Sequence, residues 1–315
     1  MYRGNSTKPL RLRKKKKLVT VAVTKGLCAR MDDTTGDYRM TTTDAALRDA
    51  VSGDGNAALL TLDPAFQGLP DTAHGGTVLA VFDAAARWHG AHAVIGHYRK
   101  RVPLGAPLPL KIRRTQAAVG FQVLDESSVL LVEGAVIAAA PAVARSVMPP
   151  ETGELLPVSS RCFACGVDNP LGLQARLFFD AGAVWTRWQP PGRFRAQEGA
   201  LAPVALTTLL DETAFWLGAL ATGEAGMTTE LRVTLHDTAR AEETITVVGS
   251  RASTSARPDD DRYWDTAITA HAGSRVVASA TITFVAVRGA ARKLVAGMFA
   301  MNEREIVARV FPKYL

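Results

Sequence analysis

The chain reads as an α+β protein built from two copies of one unit, each a long apolar helix followed by antiparallel strands. Three observations carry that expectation. An apolar segment follows the loop FQGLPDTAHGG, and its Val78, Leu79, Val81, Phe82, Ala85 and Ala86 recur at helical spacing. From Ala93 to Ala140 the texture changes to Val-, Ile- and Leu-rich runs separated by Pro, Gly and polar turns, as strands require. The same order then returns 128 residues later, with Phe66 on Phe194, Val81 on Leu209, Phe82 on Leu210, Asp83 on Asp211 and Trp88 on Trp216. One helix plus several strands in each half is an α+β unit. Duplication explains the whole set of matches better than chance.

Taken in order, residues 1–40 read as a disordered basic tail and 41–140 as the first unit. In that unit Asp44–Val51 suits a short helix with Thr43 as N-cap, and Ala57–Leu62 suits a strand. After the long helix, strands are expected at Val94–Val102, Leu108–Ala118, Phe121–Leu124 and Val129–Ala138. Residues 141–160, with Pro149, Pro150 and Gly153, form the expected linker. The second unit, 161–288, opens on a hairpin (Leu173–Phe179 with Val184–Trp188) and continues with a helix at Leu201–Leu220. Its strands follow at Thr228–His236, Glu243–Ser250, Tyr263–His271 and Arg275–Val287. A C-terminal extension, 289–315, carries one helix at Ala291–Val310 that Phe311-Pro312 ends.

Composition narrows the class. The 315 residues are 47% apolar and 21% charged, which suits a globular chain and excludes a disordered one. No apolar run approaches the roughly 18 residues of a membrane span. The net charge of +7 misleads: ten of the 37 Lys and Arg lie in residues 1–30 with no acid, leaving 27 basic against 30 acidic groups. The tail's Lys run lacks aromatic interleaving, so no nucleic-acid partner is expected. Residues 11–23 imitate the start of a signal peptide, but the apolar part is short and broken by Thr20 and Lys25. Three cysteines, an odd number, argue against a disulfide framework, and a cytoplasmic location is expected.

Chemistry concentrates at the first helix. Gly75 and Gly76 fall at its N-terminus, where free N–H groups and the helix dipole suit a carbonyl oxygen gaining negative charge. Asp83 lies inside the same apolar helix. One reading makes this a self-contained site; the other makes it a glycine turn entering a core helix, with Asp83 paired to Arg87.

The motif FQG…HGG followed by helix and Asp resembles the hotdog-fold thioesterases of the phenylacetate-pathway type. CFACGVDNPLGL (162–173), followed by Leu209-Leu210-Asp211-Glu212, is similar to the same superfamily, as are YRKRVPL (98–104) and TTELRV (228–233). The resemblance implies a double hotdog, two long helices each wrapped by an antiparallel sheet, and an acyl-CoA or acyl-carrier thioesterase. It implies that Gly75, with Gly76 and the preceding His74, polarises the thioester carbonyl. Asp211, with Glu212 adjacent, is then the base or nucleophile, Thr228 places water, and Gln67 lies near the thioester. No cofactor is implied beyond the coenzyme A of the substrate, and the expected assembly is a homodimer of double hotdogs.

This chain departs from the pattern at Ala202-Pro203-Val204, which occupies the place of His74-Gly75-Gly76. Proline has no N–H to donate. One competent site (Gly75, Gly76, Asp211, Glu212) and one vestigial site (Asp83) are therefore expected. Two alternatives stand beside the hydrolase: an acyl-thioester-binding protein without turnover, and a hotdog hydratase or dehydratase. The last is discounted because His74 precedes its helix.

Other signals are weaker. Cys162 and Cys165 form one CxxC lacking two further ligands at matching spacing, so no metal is expected and the motif reads as a turn packed on the sheet. His89, His92 and His97 cluster after the first helix. Arg99 and Arg101, with Lys100, Lys111, Arg113 and Arg114, make a basic rim suited to coenzyme A phosphates, or simply a solvated face. Trp185, Trp188, Phe215 and Trp216 are expected to build the core or the interface, with one of them free to border an acyl pocket.

Overall fold

The computed structural model describes residues 42–53, 58–140 and 149–314, so the expected tail and residues 141–148 of the expected linker lie outside the described residues. In the first half the elements are α1 (Thr43–Asp49), β1 (Val51–Ser52), β2 (Ala58–Leu60), α2 (Gly75–Ala86), β3 (His92–Tyr98), β4 (Leu108–Arg114), β5 (Ala118–Leu124) and β6 (Leu130–Ala138). The second half holds β7 (Glu154–Leu155), β8 (Phe178–Phe179), β9 (Ala183–Trp188), α3 (Pro203–Thr222), β10 (Gly226–Leu235), β11 (Ile245–Ser250), β12 (Ser255–Ala256), β13 (Tyr263–Ala272) and β14 (Arg275–Ala286). Two short helices, α4 (Ala291–Met298) and α5 (Arg304–Val310), close the chain.

Among the described residues, fourteen strands form one antiparallel sheet in the order β1-β2-β4-β5-β6-β3-β10-β14-β13-β11-β9-β8-β7, with β12 beside β13. The order is nearly palindromic. Reading outward from the centre, β3-β6-β5-β4-β2 matches β10-β14-β13-β11-β9, and in each half the strand after the helix lies innermost. The halves join where β3 meets β10, pairing His92 with Leu235 through to His97 with Glu230.

The 128-residue repeat reaches the backbone. Phe66 N–H donates to the Asp63 carbonyl and Phe194 N–H to that of Pro191. His74 N–H donates to Phe66 and Ala202 N–H to Phe194, at 2.9 and 2.8 Å. Phe66 and Phe194 are both fully buried. Phe163, from the Cys162–Leu173 segment, sits between them with ring centroids 5.1 and 6.2 Å away. The Trp88–Trp216 match is the exception. Arg87 turns left-handed (φ 53°) and ends α2, whereas α3 runs on to Thr222, so Trp216 is helical and Trp88 is not.

The core lies between the helices and the curved sheet. Helices α2 and α3 touch backbone to backbone: a Cβ on Gly76 would lie 2.5 Å from the Thr207 carbonyl oxygen and 2.6 Å from Thr208 Cα. Only glycine fits there. Helix α3 is long and apolar enough to cross a membrane, against the sequence expectation, but 83% of its most apolar window is buried within the protein. It is a core helix.

Smaller corrections have local causes. The N-cap of α1 is Thr42, whose Oγ1 accepts from Ala45 N–H at 3.2 Å, one residue before the expected Thr43. Residues 173–177 are not in a strand, so the first hairpin arm shrinks to β8. The expected single C-terminal helix breaks in two because Asn302 terminates α4: its Nδ2 donates to the Met298 and Val158 carbonyls, and its Oδ1 accepts from Val158 N–H, all at 2.8 Å.

Gly76→Ala is expected to lower stability by about 1–3 kcal/mol, because the added methyl meets fixed backbone, not a movable side chain. Urea denaturation measures it; an unchanged midpoint would show that the helix crossing tolerates the methyl.

Candidate active site

The N-terminus of α2 faces the second turn of α3 across the junction of the two halves. His74 is the N-cap of α2, buried to 6% exposure. The side chains of Asp211 and Glu212, consecutive on α3, are buried to a similar degree. Gly76 N–H donates to Asp211 Oδ2 at 2.8 Å, and Thr228 Oγ1 donates to Asp211 Oδ1 at 2.6 Å. His74 Nδ1 lies 3.1 Å from Asp211 Oδ2, and its Nε2 lies 3.4 Å from Glu212 Oε2. Trp216 Nε1–H donates to Glu212 Oε1 at 2.9 Å. One imidazole is thus clasped by two carboxylates from the other half.

Asp211 was expected to lack a helical cation, and its cation comes instead from His74, 137 residues away in sequence. Gly76, expected beside the oxyanion donor, spends its N–H on the carboxylate. Gly75 N–H has no acceptor among the described residues. A Cβ on Gly75 would lie 2.7 Å from Asp211 Oδ2, so the glycine is what lets the carboxylate approach. Tyr98 Oη–H donates to the Gly75 carbonyl at 2.7 Å and fixes that turn. Sequence reasoning placed Tyr98 only in a strand motif. Burial, with the Asp211 charge, pushes its phenol well above the ordinary value, so it stays a donor.

His74, Gly75, Tyr98, Asp211, Glu212 and Thr228 line a cavity of about 510 Å³, within the range of small-ligand pockets. Gln67 lines it too, with its Oε1 accepting from Asp71 N–H at 3.4 Å. Arg99, Lys100, Arg101, Arg161 and Lys293 supply cations to the lining, although Arg99 is paired with Glu133 at 2.8 Å. Phe215, Trp216 and Met227 give apolar wall. Leu294, Gly297 and Met298 of α4 close one side, so the C-terminal extension is part of the pocket.

The CxxC is a turn, closed by Gly166 N–H on the Cys162 carbonyl at 2.8 Å, but it packs with Val158, Val167 and Met301, which lie outside the strands. Cys162 and Cys165 both line the cavity, and Cys162 Sγ lies 4.0 Å from Glu212 Oε2. The segment is pinned to the first half by Phe163 N–H on the Gln67 carbonyl (2.6 Å) and by Asn169 Nδ2 on that of Ala65 (2.6 Å). A ring nitrogen of His74, Cys162 Sγ and a Glu212 oxygen all lie within 4.8 Å of one another. Spacing along the chain does not reveal this set, because Cys162 stands 88 residues after His74 and 50 before Glu212.

The repeat-related location differs. Asp83 does not pair with Arg87, which has left the helix; its Oδ1 lies 2.7 Å from His92 Nε2. Of the histidine cluster, His89 and His92 line a larger cavity of about 1290 Å³, along with Asp83 and Pro203. Pro203 stands at the first turn of α3 with no N–H to offer. Arg114, expected on the basic rim, donates to the Ala85 and Ala86 carbonyls.

No family model and no curated protein matches the sequence. Solved structures do. A conserved protein of unknown function with hot dog fold from Alicyclobacillus acidocaldarius covers 77% of this chain and 98% of its own, at 14% identity and TM-score 0.52. The chain is a tandem hotdog. An acyl-CoA thioesterase II from Mycobacterium marinum superposes at TM-score 0.50 and 13% identity, covering 78% of this hotdog chain and 98% of its own. The dehydratase domain of RzxB from Pseudomonas fluorescens does so at 0.51 and 16%, covering 76% and 98%. At such identities the likeness concerns the fold.

Electrostatics sets the protonation of the tandem hotdog's site. Burial pulls the His74 pKa down, but hydrogen bonds to Asp211 and Glu212 and their charges outweigh it and push it up to about 10. Burial raises Asp211, and the His74, Thr228 and Gly76 hydrogen bonds outweigh that, holding it below the ordinary carboxylate value. Because His74 titrates higher folded than unfolded, its contribution is fully present below its unfolded value of about 6.5 and disappears as pH rises through about 10. The stability penalty of His74→Gln is therefore expected to be largest in mild acid and to fall to its pH-independent part above pH ~10. Urea midpoints of both proteins across pH measure it, and a penalty independent of pH would contradict the ion pair.

Proposed function

We propose that the chain hydrolyses an acyl thioester of coenzyme A or of an acyl carrier, at the cavity between His74-Gly75-Gly76 and Asp211-Glu212. One observation carries the reading: an ionised carboxylate from one half stands close to Gly75 of the other, whose N–H has no acceptor among the described residues, and both line one pocket. The N–H and the helix dipole would stabilise the oxygen of the tetrahedral intermediate. Asp211 would act as nucleophile or, with Glu212, as base toward water. On the water route the water oxygen bonds to the acyl carbon, its proton passes to the carboxylate, and the C–S bond breaks. The departing thiolate takes a proton and leaves as free thiol. Phe215, Trp216 and Met227 suit the acyl group, and the cations of the lining suit phosphates.

The cavity at Asp83 has Pro203, which carries no N–H, where the other has glycine, and in this reading it is not hydrolytic. Asp211→Asn is expected to lower thiol release from acyl-CoAs by about 10²–10⁴-fold, while Asp83→Asn leaves it within about twofold, as expected for a side chain distant from the chemistry. Thiol release across an acyl-CoA panel measures both. Equal losses would refute the one-site assignment.

A second reading has its own support. The sequence argument against a hydratase or dehydratase was that His74 precedes its helix, yet the fold brings His74 between Asp211 and Glu212. A His and an acid facing one pocket can move protons at adjacent carbons. Hydration of an enoyl-CoA with no thiol release would favour this reading over hydrolysis. Binding with neither reaction would favour a binding protein.

A further inference from the structure

His74, Cys162 and Glu212 come from three separate parts of the sequence and meet in one wall of the 510 Å³ cavity. They offer an imidazole nitrogen, a thiol sulfur and a carboxylate oxygen, the donor set that favours zinc over magnesium or calcium. Tetrahedral zinc with bonds of about 2.0–2.3 Å places its ligand atoms about 3.3–3.5 Å apart. Here His74 Nε2 to Glu212 Oε2 is 3.4 Å, and Cys162 Sγ to the same oxygen is 4.0 Å. Closing the set asks Cys162 Sγ to approach both Glu212 Oε2 and the His74 ring nitrogen, which lies within 4.8 Å of it, by turning the Cys162 side chain.

A second feature supports the assignment independently of the ligand distances. Each ligand is held by a further group of the kind that orients metal ligands. Asp211 Oδ2 and Gly76 N–H both face His74 Nδ1, at 3.1 and 3.2 Å, which sets a carboxylate beside the imidazole and turns Nε2 toward Glu212. Trp216 Nε1–H fixes the other oxygen of Glu212 at 2.9 Å. Ala164 N–H donates to Cys162 Sγ at 3.3 Å, which suits a thiolate. The cavity gives an entry path.

We propose that His74, Cys162 and Glu212 form a binding site for a zinc-class divalent cation, with a fourth position open to the cavity. Three protein ligands and one open position is the pattern of zinc sites that accept a water or a substrate atom. Binding displaces the Cys162 thiol proton and the Nε2 proton of His74 to solvent, so a divalent ion enters without adding net charge to the buried cluster. The Glu212–His74 hydrogen bond gives way to two metal bonds. Asp211 remains on Nδ1.

The test uses the full chain stripped with a chelator and titrated with Co²⁺, whose thiolate charge-transfer absorption reports a bound sulfur, then with Zn²⁺ as competitor. The expected result is one Co²⁺ per chain with that absorption, displaced by Zn²⁺. Cys162→Ser should abolish the absorption, and Asp211→Asn should weaken binding by roughly 10–100-fold. Cys165→Ser should keep the absorption. Its absence in the unsubstituted protein, or its persistence in Cys162→Ser, would overturn the site. Circular dichroism and a cooperative melt certify each variant as folded; if Asp211→Asn does not fold, the two cysteine variants decide alone. Binding is read without turnover, so loss of thiol release with cobalt binding intact would count against the hydrolase reading and not against this one.

Discussion

Everything in the site depends on how closely α2 and α3 cross. Gly76 has no side chain, so the backbone of α2 rests on the Thr207 and Thr208 backbone, and its N–H reaches Asp211 at 2.8 Å. At that distance a helix N-terminus, a buried carboxylate and an N-cap imidazole occupy one small volume. Widening the crossing by a methyl group would separate all of them together. Packing and chemistry are therefore one constraint here, because the glycine that permits the contact also supplies the N–H.

Burying two carboxylates is costly unless each is compensated. Compensation here is shared: His74 stands between Asp211 and Glu212, Thr228 and Gly76 hold the first, and Trp216 holds the second. The second half contributes the acids and the first half the cation and the glycines. Neither half could hold its own groups alone. That is a physical reason for the asymmetry between the two repeat-related locations. With Ala202 and Pro203 standing where the other half has histidine and glycine, Asp83 has neither kind of partner there and pairs with His92 from its own half.

The repeat was legible because Phe66 and Phe194 fill equivalent buried places with equivalent backbone hydrogen bonds. Pro203 was legible because a missing N–H is a property of the residue itself. The Asp83–Arg87 pairing failed because helical spacing assumes the helix continues, and α2 ends at Ala86. Cys162 was set aside because metal-ligand spacing along a chain says nothing about a histidine 88 residues earlier or a glutamate 50 residues later. Asn302 broke an expected helix through hydrogen bonds that include Val158, a partner remote in sequence.

By itself the sequence determined the elements and their duplication, because periodicity, glycine and proline act locally and leave local marks. It also determined which half kept a donor N–H. Tertiary structure decided which groups face one another: His74 between two acids, Cys162 beside Glu212, α4 in the pocket wall. Those juxtapositions arise from the helix crossing and from the β3–β10 seam, where residues 92–97 meet 230–235. Contacts of such sequence separation are fixed by the closure of the whole fold, and no spacing along the chain records them.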